Sequence, residues 1–253
     1  MTVKRIITSI MLIIFVISNG CKSTEPKLSE PNYESIEKNA TAKGQTINIK
    51  FTAGPEHSHA LMAFWIENLQ GEYLQTLFVA KSIGNGIFEH GKTESGHWQP
   101  GEIQRPASLP VWAHKSHPQE NNYGYHLPTP EDPVADTYTG ATPLNSFILK
   151  TKADQTLSQP FKVMMEINQA FDWNEYWTNN KYPGNKAYMT SGQPAIVYST
   201  TVYPAKTDTI YSMQATGHAH YAGENGKIYK DLSTLTTAKK IVRSVSVEVS
   251  GGN

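Results

Sequence analysis

The amino-acid sequence predicts an all-β domain, an immunoglobulin-like β-sandwich interrupted by one long, loop-rich insertion. Three observations lead there. Apolar residues recur with period two in short runs, clusters of Gly, Pro and Asn separate those runs, and helical periodicity is weak throughout. Many short strands punctuated by turn residues are the mark of a sandwich, and roughly 200 residues is an ordinary size for one such domain.

The chain opens with a segment that the fold does not need. Lys4 and Arg5 precede an almost unbroken apolar run from Ile6 to Ile17. That run is too short to span a bilayer comfortably and reads as a signal peptide over residues 1–20. It ends at Ser18-Asn19-Gly20-Cys21, and Cys21 is the only cysteine in the chain. A lone cysteine at this place resembles the lipidation site of a bacterial lipoprotein, although Ser18 stands where such signals usually carry Leu. The alternative is a plain secretory signal with Cys21 left as a thiol. Either way, the expectation is export to the cell envelope, and the lipoprotein reading adds a lipid anchor on the periplasmic side or at the cell surface.

Cleavage before Cys21 would remove two of the 22 basic residues, leaving 20 against 22 acidic ones. A near-neutral chain lacks the basic footprint of a nucleic-acid partner. A single cysteine excludes an intramolecular disulfide, so stability must come from a hydrophobic core. Residues 21–44 are rich in Lys, Ser, Thr, Glu, Pro and Asn. That composition buries too little surface to offset its ordering entropy and predicts a flexible tether.

The sandwich is predicted over residues 45–250. Ile47, Ile49 and Phe51 alternate with Asn48 and Lys50, as on a strand with one buried face. Leu61 to Glu67 is continuously apolar enough for burial on both faces. Asn68 to Gly71 turns the chain, and Tyr73 to Ala80 returns it as the second arm of a hairpin. Further strands are expected at Phe147 to Thr151, Val163 to Ile167, Ala195 to Val202, Thr209 to Met213 and Val245 to Val249. The best short helices are Ala170 to Trp177 and a turn near Leu232 to Thr237.

Residues of about 82–143 break the rhythm. The stretch is dense in proline, glycine and histidine, yet it holds Trp98, Trp112, Tyr123, Tyr125 and Tyr138. So many aromatics predict an ordered insertion packed on one end of the sandwich, and a segment of this length in a compact domain is usually functional.

The insertion closes on Asp136-Thr137-Tyr138-Thr139-Gly140-Ala141-Thr142. This resembles the acceptor motif on which bacterial flavin transferases join flavin mononucleotide (FMN) to a hydroxyl by a phosphodiester bond. Asp136, Thr139, Gly140, Ala141 and Thr142 fill every fixed position, with Thr142 as the acceptor. Pro143 disfavours the helical region for Thr142 and keeps it extended. A polar turn is the bland alternative. Flavin electronics are tuned by stacking and by nearby charge, which nominates Trp112 and Tyr138 as ring partners and Arg105 or Lys115 as phosphate partners.

Several blocks together resemble a predicted periplasmic family, domain of unknown function family 2271. They are Ala63 to Glu67 with Tyr73 to Val79, Arg105 to Trp112, Asp136 to Pro143, Asn168 to Tyr176, and Gly217 to Thr237. The resemblance spans about Gln45 to Val249. It implies an immunoglobulin-type sandwich and an association with flavin transferases and membrane redox proteins. A covalent FMN cofactor on a redox carrier, rather than a stand-alone enzyme, is the function it implies. The longer insertion between Lys115 and Asp136 departs from simpler members and leaves the cofactor's surroundings open.

Two rival readings remain. His57 with His59, and His218 with His220, would each place two imidazoles on one face of an extended chain, a geometry suited to a transition metal. A third ligand would come from His90, His97, His114, His117 or His126. The other rival is an interaction module that docks envelope proteins by its loops. A serine hydrolase is disfavoured, because no G-x-S-x-G elbow is present.

Overall fold

The structure is a computed structural model that describes residues 32–92, 96–116, 127–206 and 209–251. The signal segment, Cys21 and most of the expected tether lie outside the described residues, as do His117, Tyr123, Tyr125 and His126.

Period-two alternation forms strands. In chain order these are β1 (Glu34–Glu37), β2 (Thr46–Ala53), β3 (Leu61–Asn68), β4 (Tyr73–Ala80), β5 (Ile87–Lys92) and β6 (Gln99–Glu102). After the insertion come β7 (Thr139–Gly140), β8 (Phe147–Lys152), β9 (Phe161–Asn168), β10 (Ile196–Val202), β11 (Ile210–Ser212), β12 (Gln214–His218) and β13 (Val242–Ser250). Three short helices join them, α1 (Lys81–Asn85), α2 (Pro110–Ser116) and α3 (Lys186–Ser191).

Two mixed sheets pack together in a sandwich-like arrangement. One has the order β1-β8-β2-β13-β11, and the other β12-β10-β9-β3-β4-β7. Only β1–β8 and β4–β7 pair in parallel within them. A separate two-stranded ribbon, β5–β6, belongs to the insertion. Between the main sheets, Ile47, Ile49 and Phe51 meet Met62, Phe64, Ile66, Val163 and Met165, all buried. Phe51 stacks on Phe147 with ring centroids 4.9 Å apart. Each alternate residue therefore reaches the same core, as the pleat requires.

β3 is buried along both faces because the insertion covers the outer side of the six-stranded sheet. Leu61, Ala63 and Trp65 join a second apolar cluster with Val111, Trp112 and Ala113 of α2. The described part of the insertion thus packs on a sheet face, a correction to the expected placement at one end. A face offers a continuous apolar surface, and Trp65, Met164 and Val197 supply it. α2 is fixed there by Glu166, fully buried on β9. Its carboxylate accepts the Val111 and Trp112 N–H groups at 3.1 and 2.8 Å. Those are donors that the first helical turn leaves unpaired.

The tether reading also needs correction. β1 is an ordered edge strand, paired Glu34↔Phe147 through Glu37↔Lys150. Its order comes from backbone hydrogen bonds and from Ile36 packing on the main core, not from composition. The expected helix at Ala170 to Trp177 does not form, whereas the expected turn near Leu232 does: the Leu235 N–H donates to the Leu232 carbonyl at 3.2 Å, and a 3-10 turn follows at Ala238–Lys240. Asn174 Oδ1 accepts the Tyr176 and Trp177 N–H groups, closing a side-chain turn where a helix was expected.

Candidate functional site

The segment Asp136 to Thr142, expected to be a flavin acceptor, sits at an open edge of the six-stranded sheet among the described residues. Asp136–Tyr138 make one 3-10 turn, and Thr139 and Gly140 then form β7, the terminal strand, pairing with Val79 and Ala80. The outer side of β7 carries no further strand among the described residues. Beyond it, Ala141 is exposed, Thr142 is partly exposed, and Pro143 is buried. The Thr142 hydroxyl has no hydrogen-bond partner among the described residues.

Local contacts fix this geometry. Thr139 is buried, with its methyl group against Gly84. A Cβ on Gly140 would lie 2.6 Å from Phe78 Cε2, so the glycine is required by sheet packing as well as by the motif. The Asp136 carbonyl accepts the Thr139 N–H and, at 3.4 Å, the Lys38 ammonium. The Asp136 side chain is exposed. Tyr138 donates its hydroxyl into the Asp154 carboxylate, 2.8 Å from each oxygen. Burial, then the Asp154 bond and charge, push the Tyr138 hydroxyl up to about 12. Asn39 bridges the same carboxylate at 2.7 Å, and Thr137 donates to Asn39 Oδ1 at 3.3 Å. The turn is thereby bound to the segment before β2 and to the end of β8.

Downstream, His57 Nε2–H donates to the Pro143 carbonyl at 3.0 Å. This fixes the tautomer and leaves Nδ1 buried without a partner. Burial lowers the His57 pKa against the raising effect of the Pro143 bond. Three residues after Thr142 the chain enters a cleft of about 670 Å³, lined by Asn145, Ser146, Ala53, Asn32, Tyr33 and Glu34. Tyr33 is its aromatic wall, with Lys50 Nζ 4.6 Å from the ring centroid and its hydroxyl 3.0 Å from Thr52 Oγ1.

No protein-family model, curated protein or solved structure matches this chain.

Not all predicted partners assemble. Trp112 is fully buried in the second cluster, its indole N–H donating to Thr76 Oγ1 at 2.9 Å. A closed indole offers no face to a surface cofactor, so Trp112 is removed from the stacking candidates. Lys115 donates to the Gly71 carbonyl and lies 3.4 Å from Glu67 Oε1. That turn begins β4, whereas β7 pairs with its end, roughly 20 Å along the strand. Arg105 lines a different cleft, to which no residue of the motif contributes. Lys38 contacts the motif through the Asp136 carbonyl, and Tyr33 lines the cleft that the chain enters at Asn145. Both lie in the segment read as tether, where no local signal marks them.

The histidine pairs do not converge. His57 and His59 lie in a turn, and His59 has φ 51°, so they do not share an extended face. His218 Nδ1–H donates to the Ala219 carbonyl at 2.7 Å while its ring stacks on Tyr229. His220 Nδ1 accepts the Ala222 and Glu224 N–H groups at 3.2 and 3.3 Å. Among the described residues, no group of three or more His, Cys, Asp or Glu is placed to hold a metal.

Proposed function

We propose that this protein is an exported, lipid-anchored carrier of one flavin mononucleotide, esterified through its phosphate to Thr142, and that it passes electrons at the cell envelope. The single observation that carries the reading is a complete match to the acceptor pattern beside an open sheet edge, with the Thr142 hydroxyl unbonded among the described residues. An unpaired strand edge is a ready surface for another protein's backbone, which suits modification by a transferase. Attachment forms one bond between Thr142 Oγ1 and phosphorus. It breaks the bond from phosphorus to the leaving group of the flavin donor, and the hydroxyl proton passes to the transferase.

Within this reading the residues have separate roles. Asp136, exposed before the turn, is a handle for the transferase. Gly140 and Thr139 hold the strand against β4. Lys38, whose Cε would lie 3.4 Å from a Cβ on Gly140, supplies positive charge beside the phosphodiester. The FMN supplies two-electron and one-electron redox chemistry once attached. The Tyr33 cleft begins within about 10 Å of Thr142 along an extended chain, near enough for a ribityl arm to lay the flavin ring against it. The immunoglobulin-like relationship, the family resemblance, the membrane redox partners and lipidation at Cys21 belong to the same proposal.

The test is co-expression with a flavin transferase, followed by denaturing electrophoresis. A fluorescent flavin band that disappears in Thr142→Val supports the proposal. A dark wild-type band moves the reading to an interaction module of the envelope.

A further inference from the structure

The second cleft, about 680 Å³, lies between the Ile103–Pro106 segment, α3 and the turn at Ala222–Glu224. Its wall is mostly apolar, built from Ile103, Pro106, Ala187, Met189 and Ala222, with Lys186 as a second cation beside Arg105 and with Gln104, Asn185 and Thr190 as polar lining. The wall is also fixed. Gly223 has φ 75°, and a Cβ there would lie 2.0 Å from the Pro106 carbonyl oxygen. His114 Nε2–H donates to the Gly223 carbonyl at 3.1 Å, tying the turn to α2.

Into this cleft the chain places Arg105, which has no counter-ion among the described residues. Its Nε and Nη1 atoms are closed off from solvent and have no hydrogen-bond partner. The nearest compensation is the Phe88 ring, 5.3 Å from the guanidinium carbon. A cation–π contact of this kind contributes less than a hydrogen-bonded ion pair. Glu224 also lines the cleft, but its largely exposed carboxylate leans toward His220 Nε2 at 3.9 Å. Arg105 is half-buried, and burying two of its guanidinium nitrogens without partners is costly, a cost that an anion meeting the side chain in the cleft would offset. Burial lowers the Arg105 pKa, as desolvation without an anion must.

We infer that this cleft binds a small organic carboxylate, its charge paired with Arg105 and its apolar body against Met189 and Ile103. The apolar wall selects the body, and the guanidinium selects the charge. This inference does not rest on the flavin reading, because it is tested on protein made without any transferase.

Isothermal titration of the purified protein with benzoate and with hexanoate tests it, with inorganic phosphate as an anion lacking an apolar body. The expected result is one saturable site for both acids and weaker phosphate binding. Arg105→Gln should weaken the acids by about ten-fold or more, the loss of one charge-assisted contact. Met189→Trp should block them by filling the cleft. Arg105→Gln should also melt no lower than wild type, since it removes an unpaired charge. The inference is overturned if neither acid binds, if both variants bind as wild type does, or if phosphate binds more tightly than the acids. A clear drop in the melting temperature of Arg105→Gln likewise makes the residue a structural one.

Discussion

Tyr138 points its hydroxyl into the fork of the Asp154 carboxylate, 2.8 Å from either oxygen, and so fastens the turn of the acceptor sequence to the end of β8. Tyr138→Phe should cost about 1 kcal/mol, the range of a partly exposed hydrogen bond. The pH dependence has a definite sign. The hydroxyl is raised from its ordinary value of 10 to about 12, so the fold favours its neutral form. That contribution is fully present below pH 10 and is lost as pH rises through about 12. Urea denaturation across this window should show a decline in wild type that Tyr138→Phe lacks.

Glu166 offers a second titration. Burial lifts its carboxyl to about 8, against the lowering effect of the Trp112 and Val111 N–H bonds. The raised value means that its contribution to stability is present below the ordinary value of 4.5 and fades as pH rises through about 8. Glu166→Gln should flatten that slope. Glu166→Ala should cost about 2–4 kcal/mol, because it leaves two buried N–H groups uncapped and opens a cavity. Chemical denaturation between pH 4 and pH 9 measures both.

What the sequence shows depends on the range of the forces involved. The alternation of Ile47, Ile49 and Phe51 and the unbroken apolar run of β3 are local patterns, and both report burial correctly. α2 is not legible, because seven residues scarcely nucleate a helix and the cap that fixes it is Glu166, more than fifty residues away. β1 is hidden for a similar reason. Its composition is that of a tether, and its order comes from parallel pairing with β8, more than a hundred residues on. The pattern from Asp136 to Thr142 stands out in the sequence because it is contiguous, and its role as a flavin acceptor is part of the proposal. Lys38 reaches it only through the fold.

Gly140 separates packing from recognition. Gly140→Ala would place its Cβ 2.6 Å from the buried Phe78 ring, so the strand or the ring must shift. An overpacking cost of about 1–3 kcal/mol is expected. Thermal melting should fall in protein made without a transferase. An unchanged melting temperature would leave the glycine to the transferase alone.

Tyr33→Leu tests the location of the ring. Stacking on tyrosine quenches flavin emission, so the native flavin-bearing variant should fluoresce more strongly than wild type. Its fluorescence after denaturation should be unchanged, because Tyr33 has no part in attachment. Equal native emission from both would place the ring elsewhere.

The central claim, covalent flavin on Thr142, is tested most directly by intact mass spectrometry of protein made with an active transferase, followed by peptide mapping. The account predicts a gain of one flavin mononucleotide less one water, on the peptide holding Thr142 and absent from Thr142→Val. No gain in wild type, or the same gain in Thr142→Val, would contradict it.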